Sequence, residues 1–237
     1  MIDHVRRGSI QSMYFEQPFG LKREIPPVIV ETAEGTVRIE GKIDRVDVLE
    51  NGKVKIIDYK TGNEKFNVKE AKKGFRLQLM LYLRAAQQQE RKPAGIFYFL
   101  IHEPEVNAEG FSEEEMKEKV DAAIRKSCRM DGIAVDDAES VSEITGDFSG
   151  YSDVIPVRQT KKGVTGTGPD KLMDEEAFRL FQEEVDQKVE ELCGRLLSGT
   201  IEIKPQKSGE MSACTYCSLK GICQFDPAFE ACKYEII

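Results

Sequence analysis

The sequence predicts an α/β fold, in which strand patterns and helical patterns alternate along the chain. The dipeptide Asn51-Gly52 is a strong hairpin signal, and it lies between two apolar segments, Val37 to Val48 and Val54 to Ile57. A dense apolar run from Ala94 to Ile101 is rich in aromatic and β-branched residues, as expected of a central strand. An amphipathic pattern from Asp174 to Ser198 predicts a long helix. Together these patterns favour a sheet with helices packed on it.

Two further elements are predicted in the first half of the chain. Ile10 to Phe19 is predicted to be a strand, whereas Met1 to Arg7 gives no secure signal. Val68 to Arg91 is predicted to form one long helix, which Pro93 and Gly95 end. The inner side of this helix carries four apolar residues: Leu77, Met80, Leu81 and Leu83.

A capped helix is predicted in the middle of the chain. Ser112 precedes Glu115 at the spacing of a capping box, and this helix is expected to run to about Met130. From Asp131 to Asp170 the sequence is poor in periodicity and rich in Gly, Asp and Ser, so an irregular insertion is expected there. Within it, Lys161 to Gly168 lacks the Gly-Lys-Ser/Thr ending and the following helix of a phosphate-binding loop. A basic loop is therefore predicted, and ATP hydrolysis by this chain is not expected.

The last predicted helix begins with an N-cap at Asp174 and closes at Gly199. Its apolar positions have helical spacing and are predicted to be core: Phe178, Phe181, Val185, Val189, Leu192 and Leu196. Cys193 on this helix and Cys128 on the preceding one are expected to be small buried hydrophobes.

Length and composition bound the class of protein. The 237 residues suffice for one large core, or for a core with an appended module. With 40% hydrophobic and 32% charged residues, the chain is expected to be globular rather than disordered or membrane-spanning. The N-terminus lacks the apolar stretch of a signal peptide, so a cytoplasmic location without membrane attachment is the expectation.

The net charge of −8 is unusual for a protein that handles nucleic acid, but it is unevenly distributed. Lys53 to Lys92 contains 11 Lys and Arg against 4 Asp and Glu, whereas Asn107 to Asp153 contains 5 against 13. Binding to phosphates requires a basic patch rather than a basic protein. The basic segment coincides with the residues that carry the strongest chemical pattern.

That pattern is a pair of carboxylates and a lysine at the ends of the predicted hairpin strands. If the strands pair around Asn51-Gly52, Asp44 and Asp58 lie at similar heights, and Lys60 points to the same face. Two carboxylates can hold Mg²⁺ or Mn²⁺, and the backbone carbonyl of Tyr59 can add a third oxygen. This arrangement suits phosphodiester hydrolysis, with Lys60 orienting the attacking water or countering charge on the phosphate.

A plainer interpretation of the same residues stays open at this point. An exposed Asp beside a Lys is most often a solvated surface pair that contributes little to stability. Gln78 and Tyr82 are four residues apart, so they share one face of a helix and can both reach the site or a nucleic-acid backbone. Taken alone, however, Gln78 is an ordinary solvated residue and Tyr82 an ordinary core aromatic. Only the combination of these motifs favours the catalytic interpretation.

The combination consists of Gly41-x-x-Asp44-Arg45-x-Asp47, then the hairpin, then Asp58-Tyr59-Lys60-Thr61-Gly62, then Gln78-x-x-x-Tyr82. In this order the motifs resemble the RecB-like branch of the PD-(D/E)XK nucleases. The resemblance implies a restriction-endonuclease-like fold, with a mixed central sheet flanked by helices. It implies Asp44 and Asp58 as metal ligands and Lys60 as the catalytic lysine, with Gln78 and Tyr82 as the family's Gln–Tyr pair. Arg45 and Asp47 are interpreted as a structural salt bridge.

The second strong motif is a cysteine cluster, Cys214-x-x-Cys217 followed by Cys223, with Cys232 beyond. Without a secretory signal, clustered thiols favour a metal over disulfides, and both zinc and iron–sulphur clusters use such spacing. Beside the nuclease motifs, the cluster resembles the iron–sulphur nuclease domains of AddB-type helicase–nuclease subunits and of related CRISPR-associated exonucleases. That resemblance implies a 4Fe–4S cluster on Cys214, Cys217 and Cys223, in a segment from 206 to 237 that packs on a core from 1 to 205.

The resemblance also implies two ligands that lie further upstream in the family than the motifs found here. In these nucleases an upstream helix gives a histidine or acidic residue to the metal site, and a fourth cysteine lies far upstream. His4 lies too close to the first strand for that role, and no cysteine precedes Cys128. The chain is therefore expected to be a fragment that begins after part of the site, with its cluster absent, degraded or completed by Cys232.

The function implied by the resemblance is a Mg²⁺- or Mn²⁺-dependent DNA exonuclease. It would work with an AddA-type helicase–nuclease subunit on double-strand DNA ends and single strands, in recombinational repair. Two other classes stay open: a nuclease-fold module that binds DNA without cutting it, and a CRISPR-adaptation exonuclease with the same motifs. A divalent-metal cleavage assay distinguishes an enzyme from a binding module.

Overall fold

The fold is a mixed α/β architecture built on one central sheet. The computed structural model describes residues 7–101, 104–107, 110–230 and 232–237. The strands are β1 (Ile10–Phe19), β2 (Val28–Thr32), β3 (Gly35–Ile39), β4 (Gly41–Leu49), β5 (Val54–Lys60), β6 (Pro93–Leu100), β7 (Asp131–Val135), β8 (Val157–Thr160), β9 (Gly163–Gly166), β10 (Leu172–Met173), β11 (Gln206–Ser208), β12 (Met211–Ser212) and β13 (Glu235–Ile236). The helices are α1 (Val68–Lys72), α2 (Gln78–Gln87), α3 (Glu113–Ser127), α4 (Ala138–Thr145), α5 (Glu175–Leu197) and α6 (Lys220–Cys223).

The central sheet has six strands in the order β1-β4-β5-β6-β7-β10. Strands β1, β4 and β5 pair antiparallel, β5 and β6 pair parallel, β6 and β7 pair antiparallel, and β7 and β10 pair parallel. The parallel step from β5 to β6 needs a crossover connection, which α1 and α2 provide. The predicted mixed sheet with helices is therefore confirmed.

The hairpin predicted at Asn51-Gly52 joins β4 and β5, and the amide of Gly52 donates to the carbonyl of Leu49. The apolar segment before it is divided, however, because β3 leaves the central sheet and pairs with β2. Val37 and Ile39 of β3 nevertheless pack on the same core as Ile43 of β4. The alternating pattern thus continues from β3 to β4, although these strands belong to different sheets. For this reason the sequence pattern predicts one strand where the structure has two.

The single helix predicted from Val68 to Arg91 is wrong, because the chain breaks it into α1 and α2. Gly74 (φ 83°) and Arg76 (φ 58°) adopt the left-handed conformation between the two helices. Asn67 caps α1 by accepting hydrogen bonds from the amides of Lys69 and Glu70. Of the predicted inner residues, Met80 and Leu83 are buried, whereas Leu77 and Leu81 are partly buried.

The irregular insertion predicted from Asp131 to Asp170 is also wrong, since it contains regular elements. Strand β7 belongs to the central sheet, α4 packs beneath it, and β8 with β9 forms a hairpin. The pair Lys161-Lys162 forms the turn of that hairpin rather than part of a long loop. The capping box of Ser112 and Glu115 is confirmed, although α3 ends at Ser127 rather than near Met130.

Helix α5 covers one face of the sheet together with α1 and α2. Asp174 caps it, and four predicted core residues, Phe178, Phe181, Val185 and Val189, are buried. Cys193 is buried as expected, and Cys128 is half-buried against the core on the opposite face. Leu196 departs from the prediction, because it is 71% exposed on the last turn of the helix.

The C-terminal segment forms its own small sheet, in the order β12-β11-β13. Two of its side chains bond to the region of α1: Ser208 Oγ donates to Glu70 Oε1 over 2.6 Å, and Gln206 Nε2 donates to the Lys73 carbonyl over 2.8 Å. Among the described residues, no helix combines the length and the apolar character needed to cross a membrane.

Candidate active site

The paired carboxylates lie where β4 and β5 separate, near the C-terminal end of β5. Arg45 pairs with Ile57, so the same antiparallel register places Asp44 opposite Asp58. Oδ2 of Asp44 accepts a hydrogen bond from the Tyr59 amide over 3.0 Å. Because the amide and carbonyl of one strand residue point toward the same neighbouring strand, the Tyr59 carbonyl faces Asp44 as well. Three oxygen-bearing groups therefore converge as the hairpin pattern predicts.

Asp58 is the buried member of this group, with 1% of its surface exposed. Oδ1 accepts no hydrogen bond from any described residue, and Oδ2 has only the Lys60 ammonium beside it, at 2.6 Å. Burial raises the pKa of Asp58; the contact with Lys60 opposes this shift, while the charges of Asp44 and Glu64 add to it. A buried carboxylate with free lone pairs costs free energy unless a cation completes its shell.

Four side chains form a connected polar chain through the site. The Lys60 ammonium contacts Asp58 and donates to Oε1 of Gln78 over 2.7 Å. Nε2 of Gln78 in turn donates to the hydroxyl of Tyr82 over 2.7 Å. Gln78 and Tyr82 therefore share a helix face that turns toward the end of β5. Gln78 is exposed to solvent, but its side chain is bound at both ends, and the buried Tyr82 is not purely apolar in its contacts.

Burial raises the pKa of Tyr82; the hydrogen bond from Gln78 opposes this shift, and the charges of Asp44 and Asp58 add to it. Its ring packs edge-on against Phe19 in the core. Tyr82 thus combines the core role of an aromatic residue with a polar atom aimed at the site.

Sequence reasoning missed several neighbours of this site. Lys42 lies two residues before Asp44 on the same face of β4, and it forms an ion pair with Glu16 on β1. That bond to Glu16 raises the pKa of Lys42, and the charges of Asp44 and Tyr82 add to the effect. The period of two along β4 was sufficient to place Lys42 on this face.

The floor of the site is Tyr98 on β6, which pairs with Asp58 in the parallel ladder. Nζ of Lys60 lies 5.4 Å from the centre of the Tyr98 ring. Burial raises the pKa of Tyr98, and the charge of Asp58 raises it further. Glu64, in the loop after β5, has one buried carboxylate oxygen that accepts no hydrogen bond from the described residues.

On the opposite face of the same strands lies a buried ion triad. Arg45 bonds to both carboxylate oxygens of Asp47, at 2.6 and 2.9 Å, and Lys55 Nζ lies 2.9 Å from Oδ2 of Asp47. Each of the three side chains is nearly inaccessible to solvent. Desolvation lowers the pKa of Lys55, and the charge of Asp47 opposes this shift. The interpretation of Arg45 and Asp47 as a structural salt bridge agrees with this geometry.

The donor set fits a hard divalent cation. Asp44, Asp58 and the Tyr59 carbonyl offer oxygen ligands only, and the unfilled lone pairs of Asp58 lie beside Asp44. Among such cations, Mg²⁺ is usually bound by one or two carboxylates, because it keeps several water molecules and takes phosphate oxygens into its shell. The arrangement can therefore bring a cation, a phosphate and an ammonium group to one point.

The cysteine segment gives a different result. Cys214, Cys223 and Cys232 are half-buried and Cys217 is exposed, and all four are free thiols. In the described part of the chain, no set of three or more His, Cys, Asp or Glu side chains has an arrangement that could hold a metal ion. The structure thus brings together Asp44, Asp58, Tyr59, Lys60, Gln78 and Tyr82, but it does not assemble Cys214, Cys217 and Cys223. His4 lies outside the described residues.

Comparison with known proteins agrees with the geometry of the carboxylate site. Over its whole length, the chain is 36% identical to a subunit of the ATP-dependent helicase/deoxyribonuclease of Alkaliphilus oremlandii, and 35% identical to the same subunit of Alkaliphilus metalliredigens. The corresponding subunit of Thermoanaerobacter sp. is 34% identical over 99% of the chain. The chain spans only 21% of the length of these relatives. Residues 2–224 match the PD-(D/E)XK nuclease superfamily, and the chain belongs to that superfamily.

Proposed function

We propose that this chain is a metal-dependent deoxyribonuclease domain of a helicase–nuclease subunit that processes double-strand DNA ends for recombinational repair. The observation that carries the proposal is the buried Asp58 carboxylate, which has free lone pairs and lies beside Asp44 and Lys60. Membership of the PD-(D/E)XK superfamily and the names of the relatives support it. The activity would need Mg²⁺ or Mn²⁺ on Asp44, Asp58 and the Tyr59 carbonyl.

Each residue of the polar chain has a distinct role in this proposal. When bound, a divalent cation supplies Lewis-acid polarisation of the phosphate and activation of a water molecule. Asp44 and Asp58 would hold that cation through their carboxylate oxygens. Lys60 places a positive charge where negative charge develops on the phosphate oxygens as the bond breaks. Gln78 fixes the position of the ammonium, and Tyr82 fixes Gln78.

The partner and the substrate follow from the relatives rather than from the site. The relatives are each named as one subunit of an ATP-dependent helicase/deoxyribonuclease, which implies a second subunit. We assign an AddA-type helicase–nuclease subunit as the partner, and broken DNA ends with their unwound single strands as the substrate. The location would then be the cytoplasm, where chromosomal DNA of such bacteria lies.

A cleavage assay with labelled DNA and Mg²⁺ or Mn²⁺ tests this proposal, first on the chain and then on the complex that contains it. We expect cleavage that EDTA abolishes. Asp58→Ala should abolish cleavage by this chain, and in a complex whose partner carries an inactivated nuclease site it should abolish the remaining cleavage and leave unwinding intact. Binding without cleavage, in both the chain and the complex, would make this chain a nuclease-fold binding module. Cleavage retained by Asp58→Ala would remove Asp58 from the metal site.

We also propose that Cys214, Cys217 and Cys223 bind a 4Fe–4S cluster in the intact protein, with a fourth ligand elsewhere or at Cys232. The described arrangement does not form a ready-made site, so the proposal rests on the spacing and on the family resemblance. The segment from 206 to 237 would then be a cluster-stabilised module on the core from 1 to 205. Iron content and visible absorption after anaerobic purification test it. Zinc, or a colourless protein, would contradict it.

A further inference from the structure

A basic cavity lies beside the end of β5 that carries Asp58 and Lys60. It has a volume of about 520 Å³ and begins at Leu100, the last residue of β6. Leu100 pairs with Lys60, and the amide of Ile101 donates to the Lys60 carbonyl over 2.7 Å. The cavity therefore opens one strand away from the Lys60 ammonium.

The wall of this cavity is fixed to the same row of the sheet as the site. Asp58 pairs with Tyr98 on β6, and Tyr98 pairs with Asp131 on β7. Neighbouring strands lie about 4.8 Å apart, so this row spans roughly 10 Å. Asp131 accepts from the Phe66 amide and from Lys171 Nζ, both over 2.7 Å. These bonds hold the loop after β5 against the cavity wall.

The charge of the cavity is positive. Four basic side chains line it: Lys65, Lys126, Arg129 and Lys171. Its acidic residues are Glu105 and Asp131, and Lys171 forms an ion pair with Asp131. Lys65, Lys126 and Arg129 form no ion pair with any residue that the structure describes. Unpaired ammonium and guanidinium groups at a groove are free to take phosphate oxygens.

A neighbouring cavity of about 470 Å³ extends the basic surface. It shares Lys65 and Lys171 with the first cavity, and it adds Arg76 from the break between α1 and α2. Glu70 and Asp170 also line it, and Glu70 lies 3.5 Å from the Arg76 guanidinium. The two cavities meet at Lys65, which follows the catalytic strand by five residues in the chain.

The opposite end of the central strands provides a contrast within the same molecule. A cavity of about 410 Å³ lies there, where β6 begins at Pro93. Its two basic residues, Lys92 and Arg179, are matched by Glu175 and Glu176, so its lining charge is balanced. Of these two ends of the sheet, the excess of positive charge therefore occurs at the end that carries Asp44 and Asp58. It is not a general property of cavities on this protein.

We propose that the groove lined by Lys65, Lys126, Arg129 and Lys171 binds the phosphate backbone of a single nucleic-acid strand next to the catalytic site. This inference rests on the proposed nuclease function and deepens it, because it places the strand on one side of the carboxylates. Lys126 lies in the last turn of α3 and Arg129 follows that helix, so both belong to the α3 side of the groove and not to β4 or β5, which carry Asp44 and Asp58. They would position the strand and would not contact the bond that is cleaved.

The test measures strand binding separately from cleavage. A fluorescein-labelled polythymidine strand is titrated with the chain in EDTA at several salt concentrations, and anisotropy gives the dissociation constant. Lys126→Ala/Arg129→Ala should weaken binding by about tenfold, and it should lower the salt slope by about 1.4, since each phosphate contact with a single strand contributes about 0.7. Lys92→Ala/Arg179→Ala removes the same charge at the opposite end, and it should bind as the unchanged chain does.

The outcomes distinguish the two proposals. Equal losses in both double variants, or an unchanged salt slope in Lys126→Ala/Arg129→Ala, would overturn the groove assignment. Thermal unfolding of both variants within a few degrees of the parent chain shows that a loss of binding is not a loss of fold. Cleavage of the same strand by the unchanged chain with Mg²⁺ is scored separately. Its absence, both here and in the complex, would overturn the nuclease proposal, even if the groove variant binds more weakly.

Discussion

Lys60, the last residue of β5, donates to the side-chain carbonyl of Gln78, the first residue of α2, over 2.7 Å. This bond connects β5 to the helix that covers it. The same ammonium lies 2.6 Å from Asp58, so it is held between a carboxylate and an amide oxygen. The position of the positive charge is therefore determined by two elements that are separated in the sequence.

Gln78→Ala should remove one of these two restraints and leave the carboxylates in place. We expect cleavage to fall by about 10- to 100-fold, because a small displacement of a reacting group costs rate of that order. Binding of DNA in EDTA should change little. Single-turnover cleavage and anisotropy measure the two effects. Gln88→Ala, at the other end of α2, is the control, since its side chain bonds to the Pro26 carbonyl instead.

Asp58→Asn should stabilise the metal-free protein at neutral pH. Burial raises the pKa of Asp58, so the folded state binds the proton more tightly than the unfolded state. The stability due to this group is present at acidic pH and is lost as the pH rises through the folded pKa. Asparagine cannot ionise, so the variant should unfold about 2–4 °C higher near neutral pH, with no difference at acidic pH.

Added Mg²⁺ should reverse that order, because ligand binding stabilises only the protein that retains the site. Thermal unfolding at several pH values, with and without Mg²⁺, measures both effects. Asp121→Asn, at an exposed position of α3, is the matched control and should behave as the parent chain does. A lower melting temperature for Asp58→Asn at neutral pH would contradict the predicted sign.

Lys60→Met should separate catalysis from binding. It keeps most of the side-chain volume but removes the charge that opposes negative charge on the phosphate, so cleavage should fall by about 100- to 1000-fold. The affinity for DNA without metal should fall by a smaller factor than the rate does, since Lys60 is one of several basic side chains near the groove. Lys204→Met, on a lysine that is 64% exposed, is the control for loss of one charge. Equal losses of affinity and rate would show that Lys60 serves binding alone.

The buried triad predicts opposite results for two of its members. Asp47→Ala leaves two buried cations without their shared anion, and it should lower the free energy of unfolding by about 3–5 kcal/mol. Lys55→Met removes an ammonium whose pKa is lowered by desolvation, while Arg45 still pairs with Asp47. We expect its effect to stay within about 1 kcal/mol. Urea unfolding measures both, and equal destabilisation by the two variants would contradict the prediction.

The strands β4 and β5 of the candidate site were predictable because their geometry is local. The turn at Asn51-Gly52 sets the register of β4 and β5, and this register places Asp44 opposite Asp58. The period of two then brings Lys60 to the face of Asp58. The helical spacing of Gln78 and Tyr82 predicted their shared face in the same way, even though the extent of the helix was wrong.

The rest of the site depends on contacts that are distant in sequence. Strand β7 has only five residues, and its place in the sheet, between β6 and β10, is determined by pairing and packing with distant parts of the chain. Gly132 permits that packing, because a Cβ there would lie 2.0 Å from the Ile96 carbonyl oxygen. Lys171, which belongs to no predicted element, is held in the groove by its bonds to Asp131 and to the Phe66 carbonyl. No local sequence pattern predicts contacts between residues so distant in the chain. The groove could therefore be recognised only in the folded structure.

The cysteine segment shows a further limit of sequence patterns. The spacing of Cys214, Cys217 and Cys223 predicts which residues would serve as ligands, but a ligand set also needs a geometry. In the described structure these thiols are not arranged around one point. Spacing therefore identifies the residues of a site more readily than it determines whether the site is assembled.

The break between α1 and α2 affects how the chain can tolerate the insertion of a residue during evolution. One extra residue in a continuous helix would rotate everything beyond it by about 100°, because a helix has 3.6 residues per turn. Such a rotation would carry Gln78 and Tyr82 away from Lys60. Here the residues around Gly74 and Arg76 are not helical, so an insertion between the two helices need not turn α2. The segment thus allows evolution to vary the cavity wall at Arg76 while it preserves the alignment at Lys60.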